Sequence, residues 1–139
     1  MVLTDSGYWL ALANQNDRWH SRALKITALL EQETLVITWP VITETCHLLL
    51  TRLNVLAQTL FLNQIDQCTQ LFQLEYRHIP KIQQLMTKYA DLPIDLADAS
   101  LVLAANELHE CQILSTDQRD FRAYRWKNYR PFKNLLLPD

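Results

Sequence analysis

Residues 2–14 read VLTDSGYWLALAN. The first three residues are typical of a buried strand. The serine and glycine that follow the aspartate are typical of a tight turn, and the remaining residues are typical of a helix. A second apolar run, residues 113–115, also leads to an acidic residue, Asp117. The carboxyl ends of parallel strands open onto the functional crevice of α/β sheets. We therefore expect Asp5 and Asp117 to project into one crevice.

Apolar runs and helical patterns alternate along the remainder of the chain. Strands are expected at residues 35–38, 72–76 and 113–115, and helices at residues 17–32, 41–53, 54–71, 79–89 and 96–108. Residues 135–137 are expected to form a closing strand or a packed end. Strands separated by helices predict a parallel sheet with helices on both faces. No internal repeat or linker interrupts the pattern, so we expect one α/β domain over residues 1–139.

The chain has one glycine, Gly7, among 139 residues, where average usage of about 7% predicts roughly ten. This scarcity excludes the glycine-rich dinucleotide fingerprint, the phosphate-binding P-loop and the GxSxG nucleophile elbow, because each requires at least two glycines. Gly7 lies two residues after Asp5, where we expect the first strand to turn sharply. Gly7→Val is therefore expected to disturb the neighbouring site more than the distant core.

The composition is that of a folded protein from a reducing compartment. Hydrophobic residues make up 49% and charged residues 20%, which argues against disorder. The net charge of −2 favours neither a nucleic acid nor a membrane as partner. Three cysteines without CxxC spacing argue against a disulfide framework or a zinc ribbon. No signal-peptide pattern and no long apolar window are present, so we expect a cytoplasmic location.

Two further acids, Glu44 and Asp98, fall near the starts of apolar-faced helices. Helix N-termini stabilise carboxylates, but four clustered carboxylates repel one another unless a cation compensates them. Mg²⁺ and Mn²⁺ prefer oxygen ligands and are often shared between carboxylates and a substrate phosphate. In a hydrolase such an ion polarises a phosphoryl oxygen and activates water. Spacing alone leaves a capping or turn role open for each aspartate.

The sequence around these acids resembles the PIN domain family, in particular the VapC-type toxins of bacterial toxin–antitoxin pairs, over nearly the full chain. The segments that carry the resemblance are residues 3–12 (LTDSGYWLAL), 17–20 (DRWH), 41–45 (VITET), 91–102 (DLPIDLADASLV) and 115–121 (STDQRDF). The most specific of them is residues 91–102. The resemblance implies a three-layer α/β/α domain with a central, mainly parallel sheet of four to five short strands.

The resemblance also implies an activity and its residues. It implies an endoribonuclease that depends on Mg²⁺ or Mn²⁺, with a cognate antitoxin as inhibitor and a homodimer or toxin–antitoxin hetero-oligomer as its assembly. By position, Asp5 and Asp98 are the main metal ligands, and Glu44 and Asp117 complete the acidic site. The number of metal ions, one or two, stays open.

Several neighbouring polar residues are expected to support the acids. Ser6 and Thr116 flank two of them and can hydrogen-bond a carboxylate or a bound water, although both could simply cap the next turn. Asp95 is interpreted as a helix cap or a support for the metal ligands, and Asp120 as a helix cap. Whether either of them joins the metal site stays open. His78 and His109 are interpreted as surface residues.

Residues 119–133 are basic and aromatic, with a net charge of +5 in a chain whose total is −2. Cations interleaved with aromatic residues are typical of surfaces that hold phosphates and stack unpaired bases. Arg119, Arg122 and Arg125 are therefore candidates for RNA contact. Alternatively, the aromatic side chains pack inward while the cations face solvent.

Other functions remain alternatives at this point. A haloacid-dehalogenase-like phosphotransferase usually has a second aspartate two residues after the first, where this chain has Gly7. Glu44 and His47 form one E-x-x-H pair, but a di-iron bundle needs a second pair and two more glutamates. Within the resembling family, an RNA-processing nuclease that is not a toxin and a catalytically silent binding module are the alternatives.

Overall fold

The computed structural model describes residues 1–138, and five parallel strands form its central sheet. The strands are β1 (Val2–Thr4), β2 (Leu35–Thr38), β3 (Thr69–Phe72), β4 (Gln112–Leu114), the antiparallel hairpin β5 (Arg125–Trp126) and β6 (Arg130–Pro131), and β7 (Lys133–Asn134). The order in the central sheet is β3-β2-β1-β4-β7, and every neighbouring pair is parallel. The hairpin lies outside it as a separate two-stranded sheet.

Seven α-helices connect the strands within the described part of the chain. They are α1 (Ser6–Ala13), α2 (His20–Leu29), α3 (Trp39–Arg52), α4 (Val55–Cys68), α5 (Ile79–Lys88), α6 (Leu96–Leu108) and α7 (Gln118–Ala123), with a short 3-10 helix at Tyr76–His78. Helix α6 packs on β1 and β2, and α3 packs on β2 and α6. This arrangement confirms the predicted α/β fold class, with five short strands. Within residues 1–138 no helix has the length and apolarity needed to cross a bilayer.

Helix α6 forms the centre of the hydrophobic core. All nine residues from Ala97 to Ala105 are buried, so the helix is enclosed on every side. A helix that is apolar all round is stable only inside a protein, because no face of it is suited to water. Burial of this helix carries Asp98, in its first turn, into the protein interior.

Two predicted elements differ from the structure. The third strand occupies Thr69–Phe72 rather than residues 72–76, because its parallel register with β2 begins at Thr69. The alternation after Phe72 predicted a strand where the chain leaves the sheet and enters the 3-10 helix. Near the carboxyl terminus the strand is Lys133–Asn134, and the fully buried Leu136 belongs to a packed end.

The predicted turn at Ser6 and Gly7 is also absent. Both residues lie in the first turn of α1, because the Asp5 side chain accepts a hydrogen bond from the Ser6 backbone N–H and starts the helix directly after β1. Aspartate is a favoured N-cap for this reason. Gly7 therefore has a helical backbone with no positive φ. The need for glycine at this position comes from its close neighbour rather than from a turn.

Candidate metal centre

The candidate site lies where the order of the strands reverses. Strands β1 and β4 are adjacent in the sheet, while the connections from β1 lead toward β2 and those from β4 toward β7. In an open parallel sheet this switch point creates a crevice at the carboxyl ends of the strands. Asp5 follows β1 and Asp117 lies three residues beyond β4, so the topology brings both acids to the crevice as predicted.

Six carboxylate side chains line this crevice, which has a volume of about 260 Å³. They belong to Asp5, Glu44, Asp95, Asp98, Asp117 and Asp120. All four acids that the sequence indicated as the catalytic set are therefore brought together. The wall also includes Ser6, Gly7 and Thr116.

Asp5 is the most firmly held of the acids. It is buried, its Oδ1 accepts a hydrogen bond from the Ser6 N–H at 2.7 Å, and its Oδ2 accepts one from the Ser115 hydroxyl at 2.8 Å. Burial raises its pKa to about 6 even though these two hydrogen bonds act in the opposite direction, and the Glu44 and Asp117 charges raise the pKa further. The site therefore holds this carboxylate in one orientation at an energetic cost.

Ser115 is a functional residue that sequence reasoning passed over in favour of Thr116. The Ser115 hydroxyl donates to Asp5 and accepts a hydrogen bond from the Asp117 N–H at 2.9 Å, so it links two of the acids. Its own backbone is clamped by the Asn134 side chain, which donates to the Ser115 carbonyl at 2.9 Å. Thr116 lines the crevice, and its supporting role stays a prediction.

Glu44 enters the crevice from the second turn of α3, which begins at Trp39, two residues earlier than predicted. The side chain is half-buried and Oε1 accepts a short hydrogen bond from the Ser6 hydroxyl. Ser6 thus binds Asp5 through its backbone and Glu44 through its side chain. Ser6 therefore contacts two of the acids, and its supporting role in a metal site stays a prediction.

Asp98 has the most strongly perturbed carboxyl group of the site. Burial raises its pKa to about 9, and the charges of Asp5, Asp95 and Asp117 add to the effect. Asp95 caps α6 by accepting a hydrogen bond from the Asp98 N–H at 2.8 Å. The buried Tyr124 hydroxyl donates to Asp98 Oδ2 at 3.3 Å, and this contact acts to lower the pKa of Asp98.

Asp117 and Asp120 complete the acidic wall from the start of α7. Asp117 caps this helix, accepting a hydrogen bond from the Asp120 N–H at 3.2 Å. Burial, followed by a hydrogen bond shared with the Asp120 side chain, raises the pKa of Asp117 to about 6. One carboxylate oxygen each from Asp98, Asp117 and Asp120 lie within 4.8 Å of one another. Asp120, interpreted from the sequence as a cap, is therefore placed as a candidate ligand.

These residues fit a hard divalent cation. The site offers only oxygen ligands, which Mg²⁺ and Mn²⁺ prefer. Desolvation and neighbouring carboxyl groups raise the pKa of Asp5, Asp98 and Asp117 in each case, so it is costly to keep all three ionised together. A bound cation would remove this repulsion and keep the carboxylates ionised near neutral pH.

Arg52 is the one cation among the described residues that line the crevice. Glu44, Leu48 and Arg52 are spaced four residues apart on α3 and all three line the crevice, because residues at this spacing share one face of a helix. Arg52 is exposed, and within residues 1–138 it makes no ion pair. The four-residue spacing from Glu44 is the sequence pattern that could have indicated Arg52. It can be interpreted only once Glu44 is known to lie on a helix at the site.

Gly7 explains how closely α1 approaches the loop after β4. A β-carbon at position 7 would lie 1.8 Å from Thr116 Oγ1 and 3.0 Å from Thr116 Cβ. Van der Waals contact forbids the first of these distances, so any larger residue at position 7 requires Thr116 to move. The glycine therefore serves close packing beside the acids, rather than the sharp turn that the sequence suggested.

The basic segment 119–133 largely follows the alternative in which its aromatic side chains pack inward. Its buried and half-buried rings are those of Phe121, Tyr124, Trp126 and Phe132, while Tyr129 is exposed. The Arg125 guanidinium donates to the carbonyls of residues 122, 123 and 124 at the end of α7. Arg119 is exposed beside Asp120. RNA contact by Arg119, Arg122 and Arg125 stays a prediction.

His78 is buried rather than on the surface. Its Nδ1 accepts a hydrogen bond from the Glu75 N–H at 2.8 Å, and its Nε2 lies 2.6 Å from Glu107 Oε1. No local sequence pattern indicates this contact, because Glu107 lies 29 residues from His78 along the chain. The pair fixes the 3-10 helix against α6 and lies outside the acidic crevice.

Comparison with known proteins identifies the family. No curated protein matches the chain. Among solved structures, the chain is similar to the crystal structure of Mycobacterium tuberculosis VapC20, a Sarcin-Ricin loop cleaving toxin, with a TM-score of 0.77 and 15% identity. The match covers 86% of this chain and 92% of that one, and at this identity it shows the shared fold. The family model of the PIN domain matches residues 2–127, so the chain belongs to the PIN domain family.

Proposed function

We propose that this protein is a divalent-metal-dependent endoribonuclease that hydrolyses RNA phosphodiester bonds. The observation that carries the proposal is the convergence of six carboxylates in one crevice, three of them with oxygens within 4.8 Å of one another. Membership of the PIN domain family supports it. Mg²⁺ or Mn²⁺ is the proposed cofactor, bound by Asp5 and Asp98 together with Asp117 and Asp120.

The side chains divide the work of the reaction. Asp98, Asp117 and Asp120, whose carboxylate oxygens lie close together, would hold the ion together with Asp5. Ser115 and Ser6 fix the orientation of Asp5. Glu44 and Asp117 orient the attacking water, and one of these carboxylates accepts its proton as the water oxygen forms a bond to phosphorus. The bond to the leaving oxygen breaks, and that oxygen takes a proton from solvent. When bound, the ion polarises a phosphoryl oxygen and offsets the charge on the leaving oxygen.

We also propose that the nuclease is the toxin of a toxin–antitoxin pair. The support is the fold shared with VapC20, a Sarcin-Ricin loop cleaving toxin. The cognate antitoxin is the proposed inhibitor, and the assembly is a homodimer or a toxin–antitoxin hetero-oligomer. The proposed location is the cytoplasm, where thiols are kept reduced, and the three cysteines are free. A neighbouring reading frame for a small DNA-binding protein would separate a toxin from an RNA-processing nuclease.

Helix α4 provides the apolar face for such a partner. Its exposed side chains are Val55, Leu56, Leu60 and Leu62, each at least 41% exposed. An exposed stripe of this kind is typical of a surface that receives an amphipathic helix. Co-purification with the neighbouring gene product, lost in a variant with Leu56→Ser and Leu60→Ser, would establish this contact.

The central test is RNA cleavage in the presence of Mg²⁺ or Mn²⁺ by the wild type, Asp5→Asn and Asp98→Asn. We expect each substitution to lower the rate by at least about 100-fold, because several kcal/mol of transition-state charge stabilisation depends on the ion. Asp91→Asn is the matched control, since Asp91 is exposed and does not line the crevice. Equal rates in all four proteins would rule out the metal-site assignment.

A catalytically silent binding module is the alternative to a nuclease. Retention of all four predicted acids in one crevice argues against it. Isothermal titration with Mn²⁺ would distinguish the two, because a module without a metal site would give no binding heat that depends on Asp98. The stoichiometry from the same titration would show whether one or two ions bind.

A further inference from the structure

A second hollow adjoins the acidic crevice, and we call it the Trp39 shelf. It has a volume of about 600 Å³, and its walls include Trp39, Pro40, His47, Leu74 and Leu96. Glu44 and Asp95 line both this shelf and the acidic crevice. The two cavities are therefore neighbours, with the shared carboxylates between them.

Trp39 is the exposed tryptophan of the chain, with 53% of its surface accessible. Each of the other three tryptophans has a partner: Trp9 donates to Thr4, Trp126 donates to the Pro131 carbonyl, and Arg18 lies over the Trp19 ring. Within residues 1–138, Trp39 has neither an indole hydrogen bond nor a ring or cation partner. A buried indole usually has such a partner, whereas the ring and N–H of the exposed Trp39 are open to solvent or to a ligand.

A second part of the shelf wall is also apolar and exposed. Leu96, the first residue of α6, is 47% exposed. Asp95, which precedes it, is fixed as the cap of that helix. The shelf thus combines a flat aromatic ring and an aliphatic side chain with polar groups along one edge. A planar, apolar group with hydrogen-bonding atoms on its rim suits this surface.

An unpaired nucleobase has these properties, and it is the group that RNA-cleaving proteins encounter next to a phosphate. Single-stranded RNA is commonly recognised by stacking its bases on aromatic side chains. A phosphate held at the acidic crevice places the base of an adjoining nucleotide within reach of the shelf, because the two cavities share Glu44 and Asp95. A nucleic acid therefore fits both cavities at once.

We propose that the Trp39 shelf binds an unpaired base of the RNA beside the scissile phosphate, with Trp39 as the stacking surface and Leu96 as a second apolar part of the wall. The inference rests on the proposed nuclease function, and it adds a site that selects single-stranded RNA. Base-paired RNA is excluded, because a base inside a helix is already stacked on both faces.

The test measures binding of short single-stranded RNA by intrinsic fluorescence in an Asp98→Asn background, where cleavage is suppressed. Oligoadenylate and oligouridylate should quench the fluorescence, and Trp39→Phe should abolish most of the change. Trp39→Ala should weaken binding about 5- to 140-fold, the range that corresponds to base–aromatic stacking. Because no charge is lost, the slope of affinity against salt concentration should stay the same.

Two controls separate the shelf from other surfaces. Tyr129→Ala removes an exposed ring from the basic segment and should leave affinity unchanged. An oligonucleotide with abasic residues should bind the Asp98→Asn protein more weakly than the intact RNA does, and this difference should disappear in Trp39→Ala.

Three outcomes would overturn the proposal. Affinity that depends on Tyr129 and not on Trp39 would place base binding on the basic segment. Equal affinity in Trp39→Ala and its parent would remove the shelf from RNA binding. A Trp39→Ala protein with altered mass in sedimentation would identify the shelf as an interface between subunits. Failure of the nuclease function is distinguished by wild-type protein that leaves RNA intact, since the fluorescence titration does not depend on cleavage.

Discussion

At the scale of single residues, Tyr124 shows how the core and the site are connected. The sequence placed it among aromatic residues that could stack on bases. In the structure it is fully buried, its ring contacts Phe121 and Tyr89 edge to face, and its hydroxyl points to Asp98. A residue in a segment that the sequence indicated for base stacking therefore supports a proposed metal ligand from behind.

Tyr124→Phe tests this role. The variant keeps the ring packing and removes the hydroxyl that donates to Asp98, so the pKa of Asp98 should rise further from its value of about 9. We expect Mn²⁺ affinity to fall about 10- to 100-fold, as is common when a hydrogen bond to a metal ligand is lost. Calorimetric titration measures the affinity. An unchanged affinity, with an unchanged melting temperature, would contradict the assignment.

Arg52 is predicted to contact a phosphate of the RNA. Arg52→Gln should weaken RNA binding and lower the slope of log affinity against log salt concentration by about 0.7, the value for one phosphate contact with a single strand. Filter binding at several salt concentrations measures the slope. Arg18→Gln is the control of equal charge change, since Arg18 stacks on Trp19 and does not line the crevice. An equal change of slope in both variants would indicate a general charge effect.

Local patterns placed two of the acids after strand ends, and the resemblance to the PIN domain family assigned Glu44 and Asp98 to the same site. Asp5, Glu44, Asp98 and Asp117 all line the crevice. Ser115 and Tyr124 were not assigned their contacts, because a hydroxyl that supports a carboxylate has no local signature. Their partners lie 110 and 26 residues away, so only the packed chain shows the contact.

At the scale of elements, the first helix and the loop after β4 define how tightly the crevice is closed. Helix α1 approaches this loop at Gly7, opposite Thr116. The sequence predicted the position of α1 and the importance of its glycine, although it assigned the glycine to a turn. Close approach between two elements is invisible to local patterns, because it depends on which loop the fold places opposite.

Gly7→Ala tests the close approach. Alanine normally stabilises a helix by about 0.5–1 kcal/mol relative to glycine, but here its β-carbon collides with Thr116. We expect a net loss of about 1–2 kcal/mol in the free energy of unfolding, in the range of overpacked cores, together with weaker Mn²⁺ binding. Chemical denaturation and metal titration provide the two measurements.

The matching control is the double variant Gly7→Ala with Thr116→Ala. Removing the hydroxyl removes the atom that would lie 1.8 Å from the new β-carbon, so the double variant should recover part of the lost stability. Recovery in the double variant, relative to the sum of the single changes, establishes a direct contact. Strictly additive effects would show that Gly7 acts through some other neighbour.

The elements themselves were predicted unevenly. Long helices and the buried strands β1, β2 and β4 follow strong apolar patterns and were found close to their predicted positions. Strand β3 was displaced by three residues at its start, because it has one buried residue, Phe72, among its four. With so few buried positions the pattern does not define the register, and pairing with β2 decides it instead.

At the scale of the whole molecule, the crevice concentrates like charge at the centre of a stable fold. The folded-state pKa values of Asp98, at about 9, and of Asp5 and Asp117, at about 6, all lie above the ordinary value of 3.8. The folded protein therefore binds more protons than the unfolded chain between about pH 4 and pH 9. Stability that depends on these protons must fall as the pH rises through this range.

Metal-free protein should consequently be less stable at pH 9 than at pH 6, by on the order of 3 kcal/mol. Asp98→Asn should flatten this dependence, because its amide does not titrate. Mg²⁺ should raise the melting temperature more at high pH than at low pH, since protons compete with the ion for the carboxylates. Thermal melts in chelator and in excess Mg²⁺ measure both effects. Stability of the metal-free protein that rises from pH 6 to pH 9 would contradict the burial of Asp98.

The hydrogen bond from Asn134 to the Ser115 carbonyl joins the end of the chain to the candidate site. Asn134 holds the backbone of Ser115 from the edge strand β7, and Ser115 in turn holds Asp5. Asp5 is synthesised early, and Asn134 follows 129 residues later. The hydrogen bond between Asn134 and Ser115 therefore forms only late in synthesis. Domains fold as units once their parts have emerged. Asp5 is therefore held in its final orientation only when nearly the whole chain has been made.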